Sequence, residues 1–150
     1  MTTAAALTIT PPDVPLALSP ADLAKDLAIN TTSVYAAAQQ AVRGFAALPP
    51  TASRTFIYTG NGMNNMVIPP LVSLGVGKAA SAHLIETAAT AYKDKGYRFH
   101  YADERKPDLT VAGTDVSGEA HAEFYWRLAE GGEGVPWLAT FVKGRGYVEL

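Results

Sequence analysis

Apolar residues recur at three- and four-residue spacing over residues 19–47 and predict the longest helix of the chain. Ser19 is a good N-cap, Pro20 suits the first helical position, and Asp22 can bond back to the cap. The stripe consists of Leu23, Leu27, Val34, Ala38, Val42 and Phe45. Asn30 falls on this stripe and is followed by three residues that form helices poorly. A hydrogen-bonded core amide beside a helical kink is therefore expected there.

Several short runs predict strands that alternate with the helices. Residues 55–59 are β-branched and aromatic with few polar breaks, which is typical of a buried parallel strand. Residues 97–101 alternate in polarity, and residues 137–142 are largely apolar, so each predicts a further strand. Ala4 to Thr10 is short and apolar, and is either an extended segment or part of a strand.

Two more helices are predicted between these strands. The first covers residues 71–94 and is rich in small side chains, although Gly75 and Gly77 would each cost about 1 kcal/mol in a helix interior. These two glycines indicate either a close backbone contact or a helix that begins after them. The other helix covers residues 118–129, with Ser117 as its N-cap, and is expected to cover part of one sheet face.

The connecting segments complete the order of elements. Residues 60–65 form a polar loop at the carboxyl end of a strand, where open α/β sheets bind ligands. The charged run 103–106 lies in a predicted loop, residues 102–113, and is expected to be solvated; residues 144–150 form a tail that could continue the last strand. The alternation predicts one α/β domain over residues 1–150. It is a partial doubly wound, Rossmann-like parallel sheet of three to four strands with flanking helices.

Composition and charge exclude several classes of function. Of the 150 residues, 48% are hydrophobic and 17% charged, and the net charge is −2. No basic stripe suggests nucleic-acid binding, and the absence of cysteine excludes thiol catalysis and thiolate-bound zinc. No apolar run is long enough to span a membrane, and no signal peptide is recognised, so a cytoplasmic location is expected. The three histidines are far apart in sequence, so no metal site is expected.

The order of elements and four short segments resemble the second half of a short-chain dehydrogenase/reductase. Ala4–Ala6 is similar to the end of the family's Asn-Asn-Ala-Gly segment, and Asp26–Thr32 resembles the helix with its structural and proton-relay Asn, at Asn30. Phe56–Asn61 resembles the strand that ends in the catalytic Ser, and Leu74–Lys78 occupies the place of the Tyr-x-x-x-Lys motif. The resemblance looks closest to a divergent, fungal-type branch.

The departures from the family pattern bear on activity. No Gly-x-x-x-Gly-x-Gly segment is present, so the resemblance implies NAD(P) while this chain is expected to lack the nucleotide-binding half and to hold no cofactor. Leu74 stands in place of the catalytic Tyr, and Asn61 stands about where the Ser belongs. Only Asn30 and Lys78 match the tetrad, in which the Lys binds the cofactor ribose and lowers the Tyr pKa. Other tyrosines do not stand four residues before Lys78, as the family motif requires: Tyr58, Tyr92 and Tyr101.

Three functions remain open on this basis. The first is a dehydrogenase-like pseudoenzyme whose NAD(P)-dependent oxidoreduction is impaired or lost. The second is an association module, because the helices at 19–47 and 71–94 commonly form a homodimer interface in this family. The third is a cofactor-free isomerase, lyase or cyclase that uses Asn30, Asn61 and Lys78, with the Lys amine as a base or Schiff-base former if it is buried. A small-molecule ligand fits the first and third.

Overall fold

Residues 5–150, the part of the chain that this computed structural model describes, contain four α-helices and four strands. In chain order they are α1 Pro20–Leu27, α2 Ser33–Ala47, β1 Thr55–Thr59, α3 Val72–Ala91, β2 Arg98–Arg105, α4 Gly118–Ala129, β3 Leu138–Val142 and β4 Gly146–Tyr147. The strands predicted at 55–59, 97–101 and 137–142 and the helices predicted at 71–94 and 118–129 are confirmed in type and order, whereas the helix predicted at 19–47 is divided into α1 and α2. Within the same residues, every helix is too short or too polar to span a lipid bilayer.

The four strands form one sheet in the order β1-β2-β3-β4, and the first three are parallel. Phe56 lies opposite Phe99 in the first pair, and Ala102 lies opposite Ala139 in the second. The predicted parallel α/β sheet is therefore confirmed. The tail does not continue β3: Gly144 turns the chain with a φ of 74°, and β4 returns antiparallel to β3.

Two apolar cores cover the two faces of the sheet. Helices α2 and α3 pack on one face, and the buried residues of that core include Val34, Tyr58, Ile85, Phe99 and Tyr101. Helix α4 packs on the other face, as expected, and its core includes Ile57, Phe124, Leu128, Ala139 and Phe141. The parallel strands are therefore buried on both faces, which accounts for the nearly continuous apolar sequence of β1 and β3.

The long N-terminal helix contains the kink that its polar residues predict. Helices α1 and α2 are joined by a π-helical turn, Ala28–Thr32, and Asn30 is buried within it. The Oδ1 of Asn30 accepts from the Ala6 N–H at 2.9 Å, and its Nδ2 donates to the Ala6 carbonyl at 2.6 Å. Ala4 lies outside the described residues, and residues 5–10 form an extended segment rather than a strand.

Close packing of helix α3 explains one of its two glycines. The helix begins at Val72, so the suggestion that it begins after the glycines is wrong. A Cβ on Gly77 would lie 2.5 Å from the Cβ of Asn30, so only glycine allows α3 to approach the π-helical turn this closely. A Cβ on Gly75 would make an ordinary contact, 3.5 Å from the Cε of Met63.

Strand β2 corrects the expectation of a solvated charged loop. The strand continues through Arg105, where Asp103 pairs with Thr140 of β3, and both Asp103 and Glu104 are buried. The side chains keep alternating beyond Tyr101, so Asp103 points to the α3 face and Glu104 to the α4 face. The loop prediction is wrong for residues 102–105, because charged residues do not require solvent where they have partners inside the protein, as Asp103 has in Arg105 and Glu104 has in the Ser117 N–H.

Candidate functional site

The carboxyl ends of β1 and β2 border a cavity of about 360 Å³. Its polar lining residues are Thr59, Asn61, Asp103, Glu104 and His121. Its apolar lining comes from Met63, Met66, Ile68, Leu71, Leu74, Val111, Ala112 and Val116, with Gly60, Gly62 and Gly113 completing the wall. A mostly apolar cavity with a few polar groups at the strand ends is the usual form of a small-molecule site in an α/β fold.

The loop after β1 is held firmly against β2. A Cβ on Gly60 would lie 2.0 Å from the Tyr101 ring, so glycine lets this ring pack against the loop. The Tyr101 hydroxyl donates to the Asn61 carbonyl at 2.8 Å and accepts from the Asn61 N–H at 3.2 Å. The Asn61 Oδ1 accepts from the Met63 N–H at 3.0 Å. Asn61 therefore has a fixed orientation, and its Nδ2 is the group that it can offer to a ligand.

Leu74 lies in the first turns of α3 and lines the same cavity as Asn61. The structure therefore brings together the two residues that the family resemblance puts in place of the Tyr and the Ser. Leu74 is apolar and cannot transfer a proton, whereas Asn61 can donate a hydrogen bond to a carbonyl or hydroxyl oxygen. At this wall of the cavity, α3 supplies packing in place of acid–base chemistry.

Lys78 lies one helical turn after Leu74, and its ammonium contacts β1. Its Nζ donates to the Tyr58 hydroxyl at 2.9 Å and to the Thr59 carbonyl at 3.0 Å. The residue is 3% exposed, and it is not among the residues that line the cavity. Burial lowers the pKa of the Lys78 ammonium to about 8, and the charge of Asp103 opposes this shift.

Tyr58 supplies a phenol beside Lys78, which corrects the expectation that this lysine has no such partner. The Tyr58 hydroxyl donates to the main-chain carbonyl of Asn30 at 3.4 Å, and the Ser81 hydroxyl donates to the same carbonyl. Burial raises the pKa of the Tyr58 phenol, so it is neutral at pH 7. The spacing of tyrosines from Lys78 along the sequence does not reveal this partner, because Tyr58 lies on β1 whereas Lys78 lies on α3.

The four family positions thus form two separate groups. Asn30 and Lys78 are joined through the Tyr58 hydroxyl in a buried network between α2, α3 and β1. Asn61 and Leu74 lie at the cavity. Tyr58 is 0% exposed and is absent from the cavity lining, so its hydroxyl faces the buried network.

Asp103 contributes a carboxylate to the cavity wall. Its Oδ2 accepts from the Nε of Arg105 at 2.6 Å. Its Oδ1 is buried and has no hydrogen-bond partner among residues 5–150. Burial raises the pKa of the Asp103 carboxyl, and the hydrogen bond and charge of Arg105 oppose this shift. Asp103 belongs to the charged run that was expected to be solvated, although the family resemblance also places this run beside the nicotinamide pocket; continued strand alternation after Tyr101 was the signal for its burial.

Glu104 and His121 form a second polar pair at the cavity, on the α4 side. A carboxylate oxygen of Glu104 accepts from the Ser117 N–H at 2.8 Å and lies 3.2 Å from the Nδ1 of His121. The same Nδ1 is 2.8 Å from the Ser117 carbonyl oxygen, so the pair fixes the start of α4. Within the described residues, no group of three or more histidine and carboxylate side chains is arranged to hold a metal ion.

Comparison with curated proteins gives a match over nearly the whole chain. The chain is 53% identical over 147 residues to the short-chain dehydrogenase/reductase dmxR12 of Cryptosporiopsis sp. (strain 8999). The match covers 98% of this chain and 60% of that protein, so the chain spans less than two thirds of its relative's length. No protein-family model matches the chain.

Solved structures with the same fold include a dehydrogenase and a ketoreductase, each with a bound nicotinamide cofactor. A 4-hydroxyisoleucine dehydrogenase complexed with NADH and succinate superposes with a TM-score of 0.72 at 14% identity, covering 97% of this chain and 66% of that chain. The landomycin C-6 ketoreductase LanV with bound NADP and rabelomycin gives 0.66 at 15% identity, covering 93% and 57%. At such low identity these similarities establish the fold alone.

The architecture is thus a Rossmann-like fold, with a cavity at the carboxyl edge of the parallel strands. The sequence match makes the assignment more specific. Over nearly its whole length the chain is similar to a short-chain dehydrogenase/reductase, as the resemblance of its motifs predicts.

The residues at the family positions do not fit a nicotinamide ribose bound in the family manner. Lys78 would have to present its ammonium to the ligand, but that group is buried and donates to Tyr58 and Thr59. Leu74 offers no hydrogen bond at the neighbouring position.

Proposed function

We propose that the chain is a short-chain dehydrogenase/reductase-like protein in which the family's oxidoreduction is impaired or lost. The observation that carries the proposal is Leu74, which lines the cavity at the position of the family's tyrosine. Carbonyl reduction needs an acid to protonate the developing alkoxide. A leucine side chain cannot supply that proton.

The buried phenol of Tyr58 does not replace the missing acid. A general acid must come within hydrogen-bond reach of the reacting oxygen, roughly 2.6–3.2 Å or one water away. The Tyr58 hydroxyl donates instead to the Asn30 carbonyl and receives a hydrogen bond from Lys78. Its own proton is therefore committed to the network behind the cavity wall.

A reductase assay tests this proposal directly. The chain is incubated with NADH or NADPH and 9,10-phenanthrenequinone, and loss of the reduced cofactor is followed by absorbance. We expect no cofactor consumption above the protein-free rate, and no quenching of Trp126 or Trp137 fluorescence at millimolar cofactor. Cofactor-dependent turnover by the wild-type chain would overturn the proposal.

A matched pair of variants tests whether the identity of the cavity residues limits turnover. The double variant Leu74→Tyr/Asn61→Ser introduces the family's residue types at the cavity. Leu84→Tyr is the control, because it adds a phenol to the same helix where Leu84 lines the groove against α2. We expect any gain in turnover to be confined to the double variant. An equal gain in both would contradict the role assigned to Leu74.

Association of two copies through α2 and α3 is a second candidate function. The observation that favours it is a groove of about 480 Å³ between these helices, with Tyr35, Val42, Leu84 and Ala88 among its lining residues. Tyr35 is 56% exposed at this groove. An exposed aromatic beside small and apolar side chains is typical of a protein interface. The resemblance to the family adds support, because the corresponding helices commonly pair there.

Light scattering coupled to size exclusion tests this association. We expect a homodimer for the wild-type chain and a monomer for Tyr35→Arg, because a buried unpaired guanidinium opposes association. Glu123→Arg, which places the same charge at an exposed position of α4, is the control and should remain dimeric. A wild-type chain that stays monomeric at all concentrations would exclude this candidate.

A cofactor-free reaction at Lys78 has less support. Its pKa is lowered, as a nucleophilic amine requires, but the amine is 3% exposed and bonded to two partners. Borohydride trapping with an aromatic aldehyde, followed by peptide mass spectrometry, should leave Lys78 unmodified. A stoichiometric adduct at Lys78 would restore this candidate.

A further inference from the structure

We propose that the cavity bordered by β1, β2 and α3 binds a small, neutral, hydroxylated aromatic molecule, whose hydroxyl donates to Asp103. Three observations support this assignment: an unpartnered carboxylate oxygen, compensated charge around it, and a lining that is mostly apolar. The inference does not depend on the loss of hydride transfer, because it concerns ligand binding and requires no cofactor.

The unpartnered oxygen shows which hydrogen-bonding group the site lacks. Asp103 lines the cavity and is 1% exposed, and its Oδ1 has no donor anywhere in residues 5–150. A buried carboxylate oxygen without a donor is unfavourable, because folding removes its water without replacing the hydrogen bond. A ligand hydroxyl would supply that donor, and hydrogen bonds to an ionised acceptor are roughly twice as strong as neutral ones.

The charges around Asp103 favour a neutral ligand. Arg105 donates its Nε to the other carboxylate oxygen at 2.6 Å, so one guanidinium already balances the carboxylate. The ammonium of Lys78 also acts on Asp103 and opposes the rise in its pKa. A cationic ligand would be repelled by Arg105 and Lys78, and an anionic ligand would be repelled by Asp103. A hydroxyl donates a hydrogen bond without adding charge.

The remaining walls favour an aromatic framework. The apolar part of the lining is aliphatic or thioether and includes Met63, Met66, Val111 and Val116. Methionine sulfur makes favourable contacts with aromatic rings, and its flexible side chain adapts to a planar guest. Asn61 Nδ2 lies at the same cavity as a second, donating group, which suits a ring that carries an oxygen acceptor as well as a hydroxyl.

Calorimetric titration of the wild-type chain with two matched probes tests the proposal. 2-Naphthol carries the hydroxyl, and 2-methoxynaphthalene has the same ring system without a donor. We expect 2-naphthol to bind at least about tenfold more tightly, the difference that one hydrogen bond to a charged acceptor supplies. In Asp103→Asn, which keeps the side-chain size and removes the charge, the ratio should fall to about threefold.

Methyl NMR locates the probe without a variant, so the test survives if Asp103→Asn fails to fold. The methyl resonances of Leu74, Val111 and Val116 should shift with 2-naphthol, whereas those of Leu84, outside the cavity, should not. Leu74→Trp, which fills the cavity, should abolish binding of both probes. Glu86→Gln, at an exposed position of the same helix, should leave both affinities unchanged.

Four results would each overturn the proposal. They are equal affinity for the two probes, an unchanged ratio in folded Asp103→Asn, tighter binding of cationic 2-(aminomethyl)naphthalene than of 2-naphthol, and no saturable binding at all. These results are distinguishable from failure of the proposed loss of oxidoreduction. Turnover of NADPH would refute that loss while leaving the probe affinities as they are.

Discussion

The Nζ of Lys78 lies 2.9 Å from the hydroxyl of Tyr58, and this contact joins α3 to the centre of β1. The same hydroxyl donates to the Asn30 carbonyl, so one phenol connects the two family positions that the chain retains. The lysine therefore has a structural use that does not require a ligand. Lys78 can therefore serve the fold although Leu74, one helical turn away at the cavity, cannot donate a proton.

Removing the phenol should destabilise the protein. Tyr58→Phe deletes the hydrogen-bond acceptor of a buried ammonium and leaves Lys78 with the Thr59 carbonyl as its remaining partner. We expect the free energy of unfolding to fall by about 1–3 kcal/mol, the range for hydrogen bonds to charged groups. Urea unfolding followed by far-ultraviolet circular dichroism measures this change. Tyr35→Phe, at an exposed tyrosine of α2, is the control and should be neutral.

The buried amine should make stability increase with pH. Folding lowers the pKa of Lys78 from 10.5 to about 8, so between these values the unfolded chain binds a proton that the folded chain has released. The free energy of unfolding therefore rises with pH across this window. For this group the rise between pH 8 and 10 is about 2 kcal/mol, and stability is lowest below pH 8.

Comparison with Lys78→Met isolates this contribution from the other titrating groups. Methionine keeps a similar length and cannot titrate, so its stability profile lacks the rise. The quantity to measure is the wild-type free energy of unfolding minus that of the variant, at pH 7, 8, 9 and 10. If this difference in the free energy of unfolding stays constant with pH, the Lys78 amine is solvated in the folded protein.

The secondary structure was largely readable because each long element combines several local signals. The helix at 118–129 has a serine cap and a clear apolar face, and the structure begins and ends it at the same residues. Residues 55–59 are apolar on both faces, as a strand covered by helices on both sides requires. The kink at Asn30 also followed from local composition, because polar and β-branched residues interrupt an otherwise regular stripe.

The contacts at the site were less predictable because they depend on how distant segments meet. Tyr58 and Lys78 are 20 positions apart, and the sequence around neither residue indicates a contact with the other. The charged sequence around Asp103 predicts a solvated loop, because an Asp and an Arg two positions apart are also common in exposed loops; only the fold shows that this pair is buried. Hydrophobic periodicity gives the face of an element but not the identity of the neighbour across it.

Gly77 and Gly75 provide a test of packing between α3 and the π-helical turn. Gly77→Ala would place a Cβ 2.5 Å from that of Asn30, so the helix must shift, at a cost of about 1–3 kcal/mol. Gly75→Ala has room for its methyl group and should stabilise the helix by up to about 1 kcal/mol. Thermal unfolding of both variants should therefore move in opposite directions. A shift in the same direction would contradict the close contact at Gly77.

The side chain of Asn30 is expected to control the order of residues 5–10. It donates to and accepts from the main chain of Ala6. The segment is also held by the Thr8 N–H, which donates to the Ser73 hydroxyl at 3.3 Å, and by the Thr10 N–H, which donates to the Pro70 carbonyl at 3.1 Å. Asn30→Ala removes both bonds to Ala6 and should cost about 1–3 kcal/mol in the free energy of unfolding.

Hydrogen exchange distinguishes this anchoring role from a general loss of stability. In Asn30→Ala the Ala6 amide should exchange faster than global unfolding allows, because local opening no longer breaks a hydrogen bond to the core. The exchange rate of the Phe99 amide, in the buried first half of β2, should change only as the global stability changes. Asn65→Ala, at an exposed position, is the matched control and should leave the exchange of both amides as in the wild-type chain. If Ala6 and Phe99 change together, Asn30 stabilises the whole fold and does not hold the N-terminal segment in particular.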